Sequence, residues 1–186
     1  AVSLHALDVT DAGAVEQLAA SLSGEPLDIL INNAGTFGPK GAPEGLAYQS
    51  LDNMDFRIWQ QMLDVNLIAP FRLSVALAGN LRLAERPLLV MMSSDLGSIG
   101  NNANGQSHAY RTTKAGLNML TKGISVEWTD IIVVSMAPGW CRTDLGGSDA
   151  VVDPVESVRE QQQTFARLTQ ADSGRFIDRY GETVAW

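Results

Sequence analysis

Two patterns of apolar and polar positions alternate along the chain. Short, nearly continuous apolar runs are typical of buried strands, while apolar residues three and four positions apart are typical of helices with one buried face. The predicted strands cover residues 2–7, 27–31, 88–92, 131–136 and 176–177. The predicted helices cover residues 11–23, 56–75, 108–127 and 154–168.

Capping and turn residues mark several ends of these elements. Thr10 is predicted to cap the first helix, and Gly24 fits its C-terminal stop. Asp55 is predicted to cap the second helix, in which Pro70 introduces a kink. The sequence Asp153-Pro154 places a capping residue before a proline at the first helical position. Residues 36–53 show no clear period and are predicted to form a loop.

The alternation of strands and helices predicts a fold class. It is typical of βαβ units, which build a parallel sheet in an open α/β architecture. A length of 186 residues suits one globular domain, and no repeat or linker divides the chain. We therefore expect residues 1–186 to form a single α/β domain.

Composition excludes several classes of site and partner. The chain carries 13 basic and 21 acidic residues without a basic run, which argues against a nucleic acid or an anionic membrane as partner. No window approaches 18 consecutive apolar residues, so we expect no membrane-spanning helix. The lone Cys141 excludes an internal disulfide, and with two histidines it argues against a zinc site, so no metal is expected. These features favour a reducing, cytoplasmic setting.

Candidate chemistry lies where the predicted strands end. In parallel α/β sheets, ligands bind beyond the carboxyl ends of the strands. The residues at these ends are small, polar or turn-forming, and they leave room for the flat face and backbone of a cofactor. They are Asp8-Val9, Asn32-Asn33-Ala34-Gly35, Ser93-Ser94 and Pro138-Gly139.

A tyrosine and a lysine four positions apart share one face of the third predicted helix. The ammonium of Lys114 is expected to favour the phenolate of Tyr110 and to lower the pKa of this phenol. A tuned phenol can protonate a carbonyl that is being reduced. Ser94 can hydrogen-bond the same carbonyl oxygen, and the hydride would come from a nicotinamide.

Each of these signals also has an ordinary structural explanation. A Tyr-x-x-x-Lys pair usually decorates a helix surface, and Ser94 alone is more often a hydrogen-bonding residue at a strand end. Asn66 alone is more often a helix-surface or capping residue, and Asn-Asn-Ala-Gly is more often a turn. Their common order along one α/β layout gives these signals more weight together than each has alone.

In this order the motifs resemble those of the classical short-chain dehydrogenases/reductases, and the resemblance runs through residues 1–186. The matching motifs are Asn-Asn-Ala-Gly at 32–35, Asn66 in Asp-Val-Asn, Ser94 in Met-Met-Ser-Ser, Tyr110-x-x-x-Lys114 and Pro138-Gly139-x-x-x-Thr143. Segments 93–100, 109–115, 138–147 and 174–186 are most similar to the C-factor/sniffer-type carbonyl reductases. The resemblance implies a Rossmann-like, doubly wound parallel sheet.

The resemblance also implies a role for each matching residue. Tyr110 would be the general acid/base, Lys114 would tune it and hold the nicotinamide ribose, Ser94 would position the substrate carbonyl, and Asn66 would anchor a water of a proton relay. NAD or NADP would contact a further set of residues. These are Asp8 and Val9 near the adenine, Asn33, Ala34 and Gly35 along the adenosine, and Pro138, Gly139 and Thr143 at the nicotinamide end.

One element of the family is absent from the sequence. The glycine-rich turn Thr-Gly-x-x-x-Gly-x-Gly would belong to a strand–helix unit upstream of Val2, so we expect the domain to be N-terminally incomplete, without its first βαβ unit. The leading hypothesis is an NAD(P)-dependent oxidoreductase that acts on a small-molecule carbonyl or secondary alcohol. The alternative is a catalytically silent fragment or pseudoenzyme that binds a protein partner. A homo-oligomer is expected from the resemblance.

Overall fold

The computed structural model of the chain describes residues 2–38 and 44–186. Its helices are α1 (Ala12–Ser21), α2 (Phe56–Leu63), α3 (Ala69–Leu81), α4 (His108–Glu127) and α5 (Pro154–Arg167). Its strands are β1 (Ile29–Asn32), β2 (Leu88–Met92), β3 (Ile132–Ala137) and β4 (Phe176–Asp178). Short 3₁₀ turns lie at Glu44–Tyr48, Asp95–Gly97 and Gln170–Asp172, and a π-helical turn covers Asp64–Ile68.

The four strands form one parallel sheet in the order β1-β2-β3-β4. Helices cover both faces, because alternate residues of each strand point to opposite sides. Val90 and Val134 pack on one face with Phe165 of α5, whereas Leu89 and Leu117 of α4 belong to the core of the other face. The Rossmann-like α/β class predicted from the sequence is confirmed.

The N-terminal strand prediction was wrong. Residues 2–7 form no regular structure, and Val2 and Leu4 are 90% and 94% exposed. A strand is stable when its backbone groups pair with a neighbour, and β1 pairs with β2 alone among the described residues. An apolar run without such a partner therefore forms no strand and stays mostly exposed.

The cap of α1 is one residue later than predicted. The carboxylate of Asp11 accepts a hydrogen bond from the backbone N–H of Ala14, so Asp11 is the N-cap. Thr10 instead donates its N–H and hydroxyl to the carboxylate of Asp8, at 2.9 and 2.7 Å. Two acidic side chains thus organise this turn, and Thr10 is held by the first of them.

Most other element predictions are confirmed. Strand β2 and helix α4 have the predicted bounds, and Asp55 and Asp153 cap α2 and α5. The loop predicted for residues 36–53 contains the 3₁₀ turn Glu44–Tyr48, and residues 39–43 lie outside the described part of the chain. A π-helical turn, Asp64–Ile68, ends two residues before Pro70, the position where the sequence predicts a kink.

Helices α2 and α3, with the π-helical turn between them, form one continuous helical segment, Phe56–Leu81. This segment is long and apolar enough to cross a membrane by length and composition, although it contains no continuous apolar run of that length. Part of its apolar surface packs within the protein, whereas Phe56, Phe71 and Val75 are 72%, 42% and 50% exposed. Leu73 and Leu77 pack with Val15 of α1, and Leu81 lies in the core under the sheet. One face of the segment thus belongs to the core of this fold.

Candidate active site

Most of the predicted site residues lie at the carboxyl edge of the sheet. Asn33–Gly35 follow β1, Ser93 and Ser94 follow β2, and Pro138 and Gly139 follow β3. The three strands are parallel, so these segments lie at the same edge. Helix α4 packs against β2 and β3 and brings Tyr110 and Lys114 to this edge.

Tyr110 and Lys114 are both buried on the same face of α4, at 7% and 4% exposure. Lys114 Nζ donates a hydrogen bond to the carbonyl of Met92, the last residue of β2, at 2.7 Å. It also lies 5.6 Å from the centroid of the Tyr110 ring. The spacing of four residues therefore places the pair as predicted, with the ammonium anchored on the end of a strand.

The pKa of the Tyr110 phenol does not shift in the direction predicted from the sequence. Burial raises it to about 12, and an interaction with Ser94 offsets part of this effect. Burial also lowers the pKa of Lys114 to about 8, since the charged form loses hydration. The prediction considered only the positive charge of the lysine, but desolvation dominates the pKa of both groups in the folded chain.

Ser94 lies between β2 and the 3₁₀ turn Asp95–Gly97. Its hydroxyl accepts a hydrogen bond from the backbone N–H of Leu96 at 3.2 Å, so it caps this turn. The neighbouring Ser93 is buried and donates instead to Asn118 of α4 at 2.7 Å. The two serines thus divide their tasks: Ser93 fixes the strand end to α4, and Ser94 faces the phenol of Tyr110.

The turn after Ser94 lies unusually close to α4. A Cβ atom at Gly97 would lie 2.9 Å from the Cβ of Lys114 and 3.1 Å from the side-chain nitrogen of Asn118. That side-chain nitrogen donates to the carbonyl of Gly97 at 3.2 Å. Glycine is therefore required here so that Ser94 and the Tyr110–Lys114 face of α4 approach one another.

Asn66 is fully buried in the π-helical turn between α2 and α3. Its side chain accepts from the N–H of Thr36 and donates to the carbonyl of Thr36, both at 2.8 Å, and it donates to the hydroxyl of Thr113 at 3.1 Å. A Cβ atom at Gly35 would lie 3.5 Å from the Asn66 side-chain oxygen and 3.7 Å from Lys114 Nζ. Asn66 therefore ties the segment after β1 to α4, beside Lys114.

A shallow cavity of about 130 Å³ lies between the end of β1 and the start of α3. It is mostly apolar and brings together Val9, predicted near the adenine, with Asn33 and Ala34, predicted along the adenosine. Its lining is Val9, Ile31, Asn32, Asn33, Ala34, Val65, Ala69, Pro70 and Leu73. Asp8 and Gly35 are not among the lining residues. Asp8 bonds to Thr10, and this hydrogen bonding lowers the pKa of its carboxyl group.

The Pro138–Thr143 segment closes the other side of the edge. Gly139 has a φ of +83°, and a Cβ atom there would collide with the guanidinium of Arg179. The hydroxyl of Ser157 in α5 donates to the carbonyl of Pro138 at 2.7 Å. Thr143 is exposed, and its N–H bonds to the carbonyl of Cys141 at 2.9 Å. The turn at Pro138 and Gly139 is thus held by α5.

Two residues that the sequence did not single out contact Tyr110. The Phe37 ring lies 4.7 Å from the Tyr110 ring, and the fully buried Gln49 accepts a hydrogen bond from the Tyr110 N–H at 2.8 Å. Both belong to the predicted loop of residues 36–53, where no periodic pattern marked them. Asn118 was detectable in principle, because it lies four residues after Lys114 on the same face of α4.

Comparisons with known proteins show the family of the chain. The family model described as short chain dehydrogenase matches residues 1–150. C-signal of Myxococcus xanthus is 32% identical over 163 residues, which are 87% of this chain and 93% of that protein.

Within the described residues 2–38 and 44–186, no three His, Cys, Asp or Glu side chains group together as metal ligands do.

Solved structures share the fold as well as the sequence. Carbonyl reductase Sniffer of D. melanogaster superposes with a TM-score of 0.89 and 32% identity, over 98% of this chain and 77% of that chain. An NADPH-bound carbonyl reductase from chicken fatty liver gives a TM-score of 0.86 and 33% identity, over 97% and 75% of the two chains. The chain thus spans about three quarters of each neighbour, and it belongs to the short chain dehydrogenase family.

Proposed function

We propose that this chain is a nicotinamide-dependent oxidoreductase that interconverts a carbonyl compound and its secondary alcohol, with Tyr110 as general acid/base. The observation that carries the proposal is the joint burial of Tyr110 and Lys114 on one face of α4, with Ser94 beside the phenol. The similarity to an NADPH-bound carbonyl reductase supports the same reaction class.

The residues at the edge of the sheet fit the two ends of a nicotinamide dinucleotide. The apolar cavity beside Val9, Ala34 and Pro70 suits the flat face of an adenine. Lys114 Nζ has three donor hydrogens, of which the carbonyl of Met92 takes one, so two are free for ribose hydroxyls. Both NAD and NADP are compatible with these contacts. When bound, the nicotinamide supplies or accepts the hydride.

The protein's own groups handle the proton. With a pKa of about 12, the Tyr110 phenol stays protonated at neutral pH, which is the form needed to donate a proton to a carbonyl oxygen. The Ser94 hydroxyl is placed to hydrogen-bond the same oxygen. The Lys114 ammonium, 5.6 Å from the ring, stabilises the phenolate that remains after transfer. In the oxidation direction the phenolate accepts the proton back.

An apolar surrounding favours this chemistry. Tyr110 packs with Phe37, Ala109 and Met62 in one buried cluster, against which Leu96 and Leu145 also pack. Such a site excludes water and strengthens electrostatic interactions with a developing charge. We infer that Leu145 belongs to the wall of the substrate pocket. Trp140, whose Nε1–H donates to the carbonyl of Gly146 at 2.9 Å, holds the loop that carries Leu145.

The test is oxidation of NADH and NADPH, followed at 340 nm, with a panel of aldehydes, ketones and quinones. We expect turnover by the wild-type chain and a loss of at least about 1,000-fold in Tyr110→Phe, which removes the proton donor and keeps the ring. Tyr48→Phe, on a 3₁₀ turn outside the site, is the matched control and should retain the wild-type rate.

The alternative function has its own outcome in this experiment. If the folded chain binds neither NADH nor NADPH in a fluorescence titration, the proposal is wrong and the protein-binding pseudoenzyme is favoured. If it binds a cofactor and turns over equally well with Tyr110→Phe, the assignment of Tyr110 is wrong.

A homo-oligomer, a cytoplasmic location and an N-terminally incomplete domain over residues 1–186 stay predictions from the sequence.

A further inference from the structure

The helix that carries Tyr110 and Lys114 begins without a cap from its own neighbourhood. Its N-cap residue, Ser107, has a φ of 49° and makes no side-chain capping bond, and Gln106 before it has a φ of 57°. The first turn of any helix leaves its backbone N–H groups without helical partners, and a buried N–H needs one. Tyr110, the third residue of α4, carries one of these groups.

Gln49 supplies the missing acceptors from a distant part of the chain. Its side-chain Oε1 accepts from the N–H of Tyr110 at 2.8 Å, and its backbone carbonyl accepts from the N–H of His108 at 3.2 Å. Gln49 is fully buried and 61 residues away from Tyr110 in sequence. One residue of the loop between β1 and α2 thus caps two positions in the first turn of α4.

The other half of the same amide fixes the loop itself. Gln49 Nε2 donates to the carbonyl of Phe37 at 3.0 Å and to the carbonyl of Gly45 at 3.1 Å. The ring of Phe37 lies against the ring of Tyr110, with 4.7 Å between the centroids. The donor side of Gln49 therefore holds the residue that packs on the phenol, while its acceptor side holds the backbone of the tyrosine.

We propose that Gln49 is a positioning residue that sets the place of the Tyr110 phenol relative to Ser94 and couples it to the loop between β1 and α2. This inference rests on the proposed role of Tyr110. An amide fits the position because it offers an acceptor oxygen and two donor hydrogens. The oxygen accepts from the Tyr110 N–H, and the hydrogens are donated to the carbonyls of Phe37 and Gly45. A displacement of about 1 Å at a reacting group can cost about 100-fold in rate.

Two substitutions separate the acceptor from the donors. Gln49→Met is similar in size and removes both functions, whereas Gln49→Glu keeps an acceptor for the Tyr110 N–H and loses the amide donors. Gln163→Met, at an exposed position of α5, is the matched control. Each variant is measured by hydrogen exchange and by turnover, using NADPH and the aldehyde or ketone that gives the highest wild-type rate.

Hydrogen exchange at the start of α4 tests the capping without any turnover. We expect residues 108–113 to exchange about ten-fold faster in Gln49→Met, because a buried hydrogen bond is lost. Exchange in Gln49→Glu and Gln163→Met should stay close to the wild type. If Gln49→Met leaves this exchange unchanged, the proposal is overturned.

Turnover tests the consequence for Tyr110. We expect Gln49→Met to lower kcat by about 100-fold with KM for NADPH unchanged, and Gln49→Glu to recover about ten-fold of that loss. A purely structural role would lower the amount of active enzyme equally in both variants and leave the pH profile of kcat unchanged. Equal losses with an unchanged profile would therefore contradict the proposal. An inactive wild-type chain would instead reject the proposed function, while the exchange result would still decide the capping.

Discussion

At the scale of single residues, the site depends on glycines, which have no side chain, as much as on reactive side chains. Gly97 and Gly35 both lie close to Lys114: an added Cβ atom would be 2.9 Å from the Lys114 Cβ at Gly97 and 3.7 Å from Nζ at Gly35. Ser94 and Tyr110 come together because the turn after β2 can lie directly on α4. Their chemistry thus depends on the smallest residue in the turn.

Gly97→Ala should therefore be costly, whereas the same change on the exposed side of α4 should not. The added methyl at Gly97 would press on Lys114, and overpacking of this kind costs about 1–3 kcal/mol in the free energy of unfolding. Gly123 has open space at its Cβ position, and alanine there should stabilise the helix by about 0.5–1 kcal/mol. Urea denaturation of both variants checks this pair, and equal effects would contradict the packing argument.

At the scale of elements, the sequence predictions are accurate where an element is determined by its own residues and fail where it depends on contacts with distant parts of the chain. The bounds of β2 and α4 were predicted correctly because each element carries its own complete apolar pattern. Residues 2–7 were misassigned because a strand also needs a pairing neighbour, which an apolar run does not reveal. The hydrogen bonds of the Gln49 side chain reach residues up to 61 positions away, so no local spacing in the sequence predicts them. The pKa of Tyr110 was predicted in the wrong direction for the same reason, because it depends on burial.

The joint between α2 and α3 shows how one element serves another. The π-helical turn places Asn66 in the interior, where its amide bonds to both backbone groups of Thr36 and to Thr113. Insertion of a wider turn at a functional site is a recurrent use of π-helical geometry. The side chain of Asn66 in the π-helical turn thereby links the segment after β1 to α4.

We predict that Asn66→Ala costs about 3 kcal/mol in the free energy of unfolding, because it leaves the buried groups of Thr36 and Thr113 without this partner. Asn104→Ala, at an exposed position of the loop before α4, should change stability by less than about 0.5 kcal/mol. Denaturation in urea, followed by circular dichroism, measures both. Similar small effects in the two variants would show that the Asn66 bonds are replaced without cost.

At the scale of the whole molecule, the two buried titratable groups of α4 link the stability of the fold to pH. Lys114 has a pKa of about 8 in the folded chain and 10.5 in its unfolded reference, while Tyr110 has a pKa of about 12 and a reference of 10.0. Each neutral form is favoured by the same burial that assembles the site. The free energy of unfolding therefore depends on the protonation states of Tyr110 and Lys114.

These shifts predict a rise and then a fall in stability. Between pH 8 and 10.5 the unfolded chain keeps a proton that folded Lys114 has released, so the free energy of unfolding increases with pH, in total by about 3 kcal/mol. Between pH 10 and 12 the folded chain keeps the Tyr110 proton that the unfolded chain has lost, so the free energy of unfolding decreases.

Lys114→Met should remove the rise. Other groups that titrate between pH 8 and 10 contribute equally to both proteins, so the difference between wild type and variant isolates Lys114. Urea denaturation at pH 7.5, 8.5 and 9.5 should give a difference in unfolding free energy that moves in favour of the wild type as pH increases. Lys122→Met, at an exposed position of the same helix, should give a difference that does not change with pH. If the Lys114→Met difference is equally constant, the ammonium is not desolvated in the folded chain, and Lys114 would then be free to keep its charge beside Tyr110 well above pH 8.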